Sequence, residues 1–236
     1  MTERSTDDLG EIYGLRFSEA DAQGKDLIWR EVTRFLQRFV PPDAVVLDIG
    51  CDRGDFIRNI VGGEKWATDL RDVGAQLPPD IRFVKANGLE LDRVLPNGHF
   101  DVAFMSNYLE HLPTSSDVIE QLRVVHRLLK PDGRVIVLQP NIRLVGARYW
   151  DFIDHSFALT EQSLAEAAKL AGFRPETVIK RFLPYTTKSR LPKSPKLVRA
   201  YLRAPLLWRL LGKQTLFVGR SVAEHSPASS GRGPTR

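Results

Sequence analysis

The chain has 236 residues, 42% hydrophobic and 27% charged, the balance of a globular domain large enough to bury a full core. No apolar run approaches the roughly 20 residues of a membrane span, the opening Met-Thr-Glu-Arg-Ser-Thr-Asp-Asp does not read as a secretory signal, and one cysteine cannot form an internal disulfide. A cytoplasmic protein is therefore expected, and its net charge of +5 is unevenly spread: residues 181–220 hold ten Lys or Arg and no Asp or Glu, leaving 24 basic against 29 acidic residues elsewhere.

In chain order, residues 1–10 are expected to be disordered. A helix is expected from about Ala20 to Val40, where Leu27, Ile28, Val32, Phe35, Leu36 and Phe39 make one apolar stripe, and Pro41-Pro42 stops it. The stripe suits packing on a sheet, whereas Tyr13–Phe17 could either pack or cover a ligand. Next comes the stretch around which the chain is organised, Ala44 to Phe56. Its β-branched run ends in an acid, Asp48, and a turn containing Gly50 and Gly54 opens toward a helix through Phe56, Ile57, Ile60 and Val61. This is the pattern of a buried parallel strand that delivers its carboxyl end into a ligand crevice. Nineteen residues after Gly50, Asp69 ends a second apolar run, where an acid suits the two hydroxyls of a ribose.

Further strands are expected at about 81–86, 100–106, 135–138, 176–182 and 215–220, with helices at about 115–130 and from a Thr160 cap to Gly172. Between the last two strands, Ser194-Pro195 starts a helix in which Leu197, Val198, Tyr201 and Leu202 lie beside Lys196, Arg199 and Arg203. Pro205 restarts it through the leucines around Trp208. The Ser-, Pro- and Gly-rich tail after residue 221 is expected to be disordered. Residues 11–221 thus form one α/β domain, a Rossmann-like doubly wound sheet of seven strands with a basic helical insertion at about 184–213.

The dinucleotide fingerprint requires a third glycine, and Asp48, Asp52 and Asp55 in this turn would repel a pyrophosphate. A cationic ligand carrying a ribose fits better. Leu47-Asp48-Ile49-Gly50-Cys51-Asp52-Arg53-Gly54 resembles the first motif of class I S-adenosylmethionine-dependent methyltransferases, with Asp52 where the usual pattern has glycine. The resemblance implies S-adenosylmethionine as cofactor, held by Asp48, Gly50, Cys51, Gly54 and Asp69, by Asn87 and Gly88 beside the adenine, and by Ser106 and Asn107. It also implies that the last strand is antiparallel.

Three later stretches are similar to a bacterial subgroup of that class associated with surface-polysaccharide biosynthesis: Ser106–Pro113, Gln139–Arg143 with Tyr149–His155, and Arg181–Pro192. The acceptor this implies is a small-molecule or lipid-linked glycan. His155 is the first candidate base, His111 the second, and Glu110 and Asp154 complete the catalytic group, since neutral imidazole is available near pH 7. No metal ligand set is assigned, although Asn107, Glu110, His111 and His155 partly match a pattern found in metal-assisted methyltransferases. The insertion reads either as packing with solvated charges or as a surface for anionic lipid at the inner face of a membrane. Nucleic acid is the weaker partner, because no RNA-binding module is recognisable. The remaining alternatives are the same reaction on RNA or another small molecule, and a non-enzymatic binding module of the same fold. Oligomeric state is left open.

Overall fold

A computed structural model of the chain describes residues 19–185 and 194–222. The expected disordered ends, Tyr13–Phe17 and the start of the basic insertion up to Lys193 lie outside the described residues. Seven strands form one sheet: β1 (Val45–Ile49), β2 (Glu64–Asp69), β3 (Ile81–Lys85), β4 (Phe100–Ser106), β5 (Leu129–Pro140), β6 (Phe173–Ile179) and β7 (Gln214–Ser221). Their order is β3-β2-β1-β4-β5-β7-β6. β1 to β5 pair in parallel, and β7 runs antiparallel to both β5 and β6. The strand order reverses between β1 and β4, the switch point at which open α/β sheets leave a crevice.

Alternation along the strands supplies both faces of the sheet. Leu47, Ile49, Ala103, Met105, Val135 and Val137 pack under α3 (Ser115–Leu128) and α5 (Glu161–Leu170). Val46, Val102, Phe104, Ile136 and Leu138 pack against α1 (Glu19–Leu36), Phe56 and Ile57. Thr114 and Thr160 cap α3 and α5, each closing a capping box with the residue three positions on. Short helices α2 (Leu91–Val94) and α4 (Ile142–Val145) sit in the connections, and α6 (Pro195–Leu202) and α7 (Pro205–Leu211) form the insertion between β6 and β7.

Four expectations need correction. Residues 52–59 form successive turns rather than a regular helix. The Asn59 side-chain amide donates to the Asp55 carbonyl (2.9 Å), the acceptor that an α-helix would reserve for the Asn59 N–H, and that N–H goes to Phe56 O instead. α1 ends at Leu36 and tightens into a 3₁₀ turn over Gln37–Phe39, where the Gln37 side chain bonds Val40 O and Val61. β5 begins at Leu129, so Pro131-Asp132-Gly133 lies within the strand and its register with β4 shifts between Phe100 and Val102. β6 runs over Phe173–Ile179, three residues earlier than expected, because Gly172, with φ of 88°, turns the chain straight out of α5.

Candidate active site

The carboxyl ends of β1, β2 and β4 open into one crevice lined by Gly50, Asp52, Asp69, Arg71, Ala86, Gly88, Asn107, Tyr108, His111 and Asp154. Gly50 turns the chain out of β1 with φ of 67°. A Cβ there would fall 2.6 Å from the Tyr108 ring, and one at Gly88 would collide with the Tyr108 hydroxyl. Tyr108 therefore forms a wall between the two glycine turns, and its hydroxyl donates to Gln121 Oε1 (2.8 Å). Gln121 Nε2 in turn donates to Gly88 O (3.1 Å). This network fixes the end of β4 against the turn after β3.

Asp52 occupies the position where a third motif glycine is expected and keeps the left-handed backbone of that position, with φ of 48°, which Asp tolerates better than most residues. Its N–H donates to Asp69 Oδ2 (3.0 Å), and its carboxylate accepts from Arg71 Nη2 (2.8 Å). Asp69 also accepts from the Arg71 N–H (2.9 Å) and Nε (3.1 Å). Arg71 thus bridges the two acids whose repulsion would otherwise strain the turn, and the adjacent carboxylates hold its guanidinium firmly protonated.

Of the other cofactor candidates, Asp48 is buried on the α1 side of the sheet, where burial pushes its carboxyl up and the Ile57 N–H opposes that shift. Burial also pushes up the Cys51 thiol. Gly54, with φ of 74°, packs on Leu77. The Asn87 side chain accepts from the Leu89 N–H (3.1 Å), so it caps its own turn and retains a second lone pair on the same oxygen. Ser106 ends β4, and Asn107 leaves it with φ of 47°, donating its N–H to Leu138 O. The structure brings Gly50, Asp69, Gly88 and Asn107 to the crevice wall, while Asp48, Cys51, Gly54, Asn87 and Ser106 stand behind or beside it.

Of the catalytic candidates, His111 and Asp154 line this crevice, and Glu110 and His155 cluster with His111 without lining it. Ser156 and Phe157 both donate their N–H groups to Glu110 O (2.8 and 3.1 Å), and the Tyr149 hydroxyl donates to Phe157 O (2.6 Å). This docks the loop after β5 onto the turn after β4. His111 Nδ1 lies 3.0 Å from Asp154 O and 3.5 Å from its carboxylate, so Asp154 faces His111. With Nδ1–H donated to that carbonyl, His111 presents Nε2 as its lone pair. Ligand atoms of Glu110, His111 and His155 all lie within 4.8 Å of one another. Glu110 is 1% exposed, its Oε2 has no hydrogen-bond partner among the described residues, and burial pushes its carboxyl up. Tyr149 and Phe152 flank the His155 ring at 4.6 and 5.1 Å. Sequence reasoning missed Arg71 and the Tyr108–Gln121 wall, although the pairing of glycines at 50 and 88 hinted at a bulky neighbour.

Residues 21–178 match the methyltransferase domain family. Curated relatives include the ubiquinone/menaquinone biosynthesis C-methyltransferase UbiE of Ectopseudomonas mendocina, 32% identical over 49% of this chain and 49% of the relative. A second is the probable methyltransferase ltbC of Aspergillus luteorubrus, 26% identical over 42% and 41%. The chain spans less than half the length of these two relatives. Among solved structures, an S-adenosylmethionine-dependent methyltransferase from Archaeoglobus fulgidus superimposes with a TM-score of 0.57, at 20% identity over 81% of this chain and 94% of that one. With two thirds of its length matched to one family and the seven-stranded order reproduced, the chain belongs to the methyltransferase domain family and has the fold of S-adenosylmethionine-dependent methyltransferases.

Proposed function

We propose that the chain transfers the methyl group of S-adenosylmethionine to a hydroxyl of a saccharide, with Glu110, His111 and His155 handling the hydroxyl proton. The observation that carries this reading is the meeting of those three side chains around His111, which lines the crevice. Asp69 would take the ribose hydroxyls in the crevice whose wall Gly50, Gly88 and Tyr108 form. Bound in that crevice, S-adenosylmethionine would supply an electrophilic methyl group to the acceptor oxygen and leave as the thioether S-adenosylhomocysteine. The proton passes to the His155 imidazole. Positioning supplies much of the rate in such a displacement, and a base contributes further for an alcohol acceptor. Trp150 and the part-exposed Phe152 offer flat surface of the kind that stacks on a sugar ring, with the buried Tyr149 packed edge-on against Trp150.

The test is transfer of a labelled methyl group to a panel of saccharides, short RNAs and quinone-type phenols, with the product analysed by mass spectrometry. A methyl ether on a saccharide is expected. Label on RNA alone, or on carbon alone, would refute the acceptor.

One observation favours a second reading of the same site. The Glu110, His111 and His155 donor set, with one buried carboxylate oxygen lacking a partner and one imidazole oriented by a carbonyl, fits a divalent cation. Such an ion would lower the pKa of a bound hydroxyl. On this reading EDTA abolishes transfer and manganese or zinc restores it. With His155 acting as a bare base, EDTA leaves the rate unchanged.

A further inference from the structure

We propose that α6 and α7, together with the loop that carries Asp154 and His155, form a face that docks on an anionic lipid surface and presents a lipid-linked acceptor to the crevice. This deepens the saccharide reading above and rests on it for the identity of the acceptor.

The arm is anchored from within. Trp208 packs edge-on against Phe35 and Phe182 at 5.6 and 5.4 Å and donates its indole N–H to Tyr201 O (2.8 Å). Leu202 is buried, and Arg199 pairs with Glu31 of α1 (2.6 Å). With the inward side occupied by these groups, the leucines on the outside are left uncovered among the described residues. Leu206 and Leu210, one helical turn apart, are 75% and 74% exposed, and Leu197, Leu207 and Leu211 are exposed as well. A surface helix ordinarily turns polar residues outward, and an apolar stripe of this kind marks an interaction surface.

The charges beside that stripe identify the partner. Lys196, Arg203 and Arg209 are exposed and make no ion pair with an acid among the described residues, and residues 181–220 contain no acid at all. Basic side chains interleaved with protruding leucines are complementary to a layer with anionic headgroups above acyl chains. A nucleic acid would use the charges and leave the leucines exposed to water, because aromatic platforms rather than aliphatic side chains stack on bases.

Topology places this face beside the site. Pro140 at the end of β5 pairs with Gln214 at the start of β7, so α7 enters the sheet at the edge where the crevice opens. The loop leaving β5 at that edge exposes Trp150 (54%) and Ile153 (81%) beside the catalytic candidates, and Phe152 contacts Tyr185 at the root of the insertion (6.0 Å). Apolar groups therefore project from both the arm and the active-site loop.

The test is sedimentation of the full chain with vesicles of phosphatidylcholine alone or containing phosphatidylglycerol, at 50 mM and 500 mM salt. Wild type is expected to partition at least tenfold more onto the anionic vesicles, and to lose most of that binding at high salt. Leu206→Ser with Leu210→Ser, and separately Lys196→Gln with Arg203→Gln and Arg209→Gln, are each expected to cut partition tenfold or more. Because the substituted side chains are exposed, S-adenosylhomocysteine affinity should stay at the wild-type value and report an intact fold. Equal vesicle binding by wild type and both variants would overturn the proposal. So would a wild-type dimer that the leucine substitutions dissociate, since the face would then cover a second copy. Methylation of a soluble saccharide by a protein that ignores vesicles refutes the docking face alone. Vesicle binding by a protein that methylates no saccharide refutes the acceptor reading alone.

Discussion

Asp69 carries the charge balance of the crevice. Its two oxygens accept from the backbone of Asp52 and Arg71 and from the Arg71 guanidinium, which also reaches Asp52. On the proposed reading a ribose hydroxyl would share or displace one of these donors, and Arg71 is the one able to swing on a flexible stem while still paired to Asp52. Removing the carboxylate takes away a charged acceptor worth about 1.5–3 kcal/mol per hydrogen bond. Asp69→Ala should accordingly weaken S-adenosylhomocysteine binding roughly ten- to hundredfold by calorimetry. Equal affinity would place the ribose elsewhere. Aspartate in place of the motif glycine at position 52 is accommodated because its side chain pairs with Arg71 and its backbone still turns left-handed.

Elements that adjoin in sequence were the legible ones. The run from β1 through its turn to β2, ending at Asp69, could be read because each part follows directly on the last, and the apolar spacing of α3 and α5 showed their buried sides. The arrangement of His111 and Asp154 could not be read, because parallel strands bring residues more than forty apart to one edge. Nor could the loss of helix over 52–59, which depends on where a single asparagine side chain finds its acceptor. Contacts between remote elements also set pH behaviour. Glu31 of α1 is held at about 2, below the usual carboxylate range, chiefly by hydrogen bonds from Arg199 of α6, with Arg34 assisting. A depressed carboxyl contributes its stability above the unfolded-state pKa of 4.5 and loses it as pH falls toward 2. The stability difference between wild type and Glu31→Gln, read from urea midpoints, should therefore narrow from pH 5 to pH 3. A difference that is constant or grows over that window would contradict the pairing. The two arginine side chains are 62% and 48% exposed, so the effect should be small and reduced by salt.

At the scale of the whole molecule, the sheet divides the work. Its carboxyl edge gathers the cofactor crevice, the Glu110–His111–His155 group and the root of the basic insertion, while the two apolar layers on its faces hold these parts in register. Among the described residues no helix is long and apolar enough to cross a membrane. The chain belongs to the methyltransferase domain family, and the proposed reaction places proton removal at that edge. The most direct test is single-turnover methyl transfer from labelled S-adenosylmethionine to the saccharide acceptor, comparing wild type with His155→Ala at saturating donor. The account predicts a loss of about 10²–10⁴-fold in rate with S-adenosylhomocysteine affinity unchanged. A His155→Ala protein that turns over at the wild-type rate would contradict it.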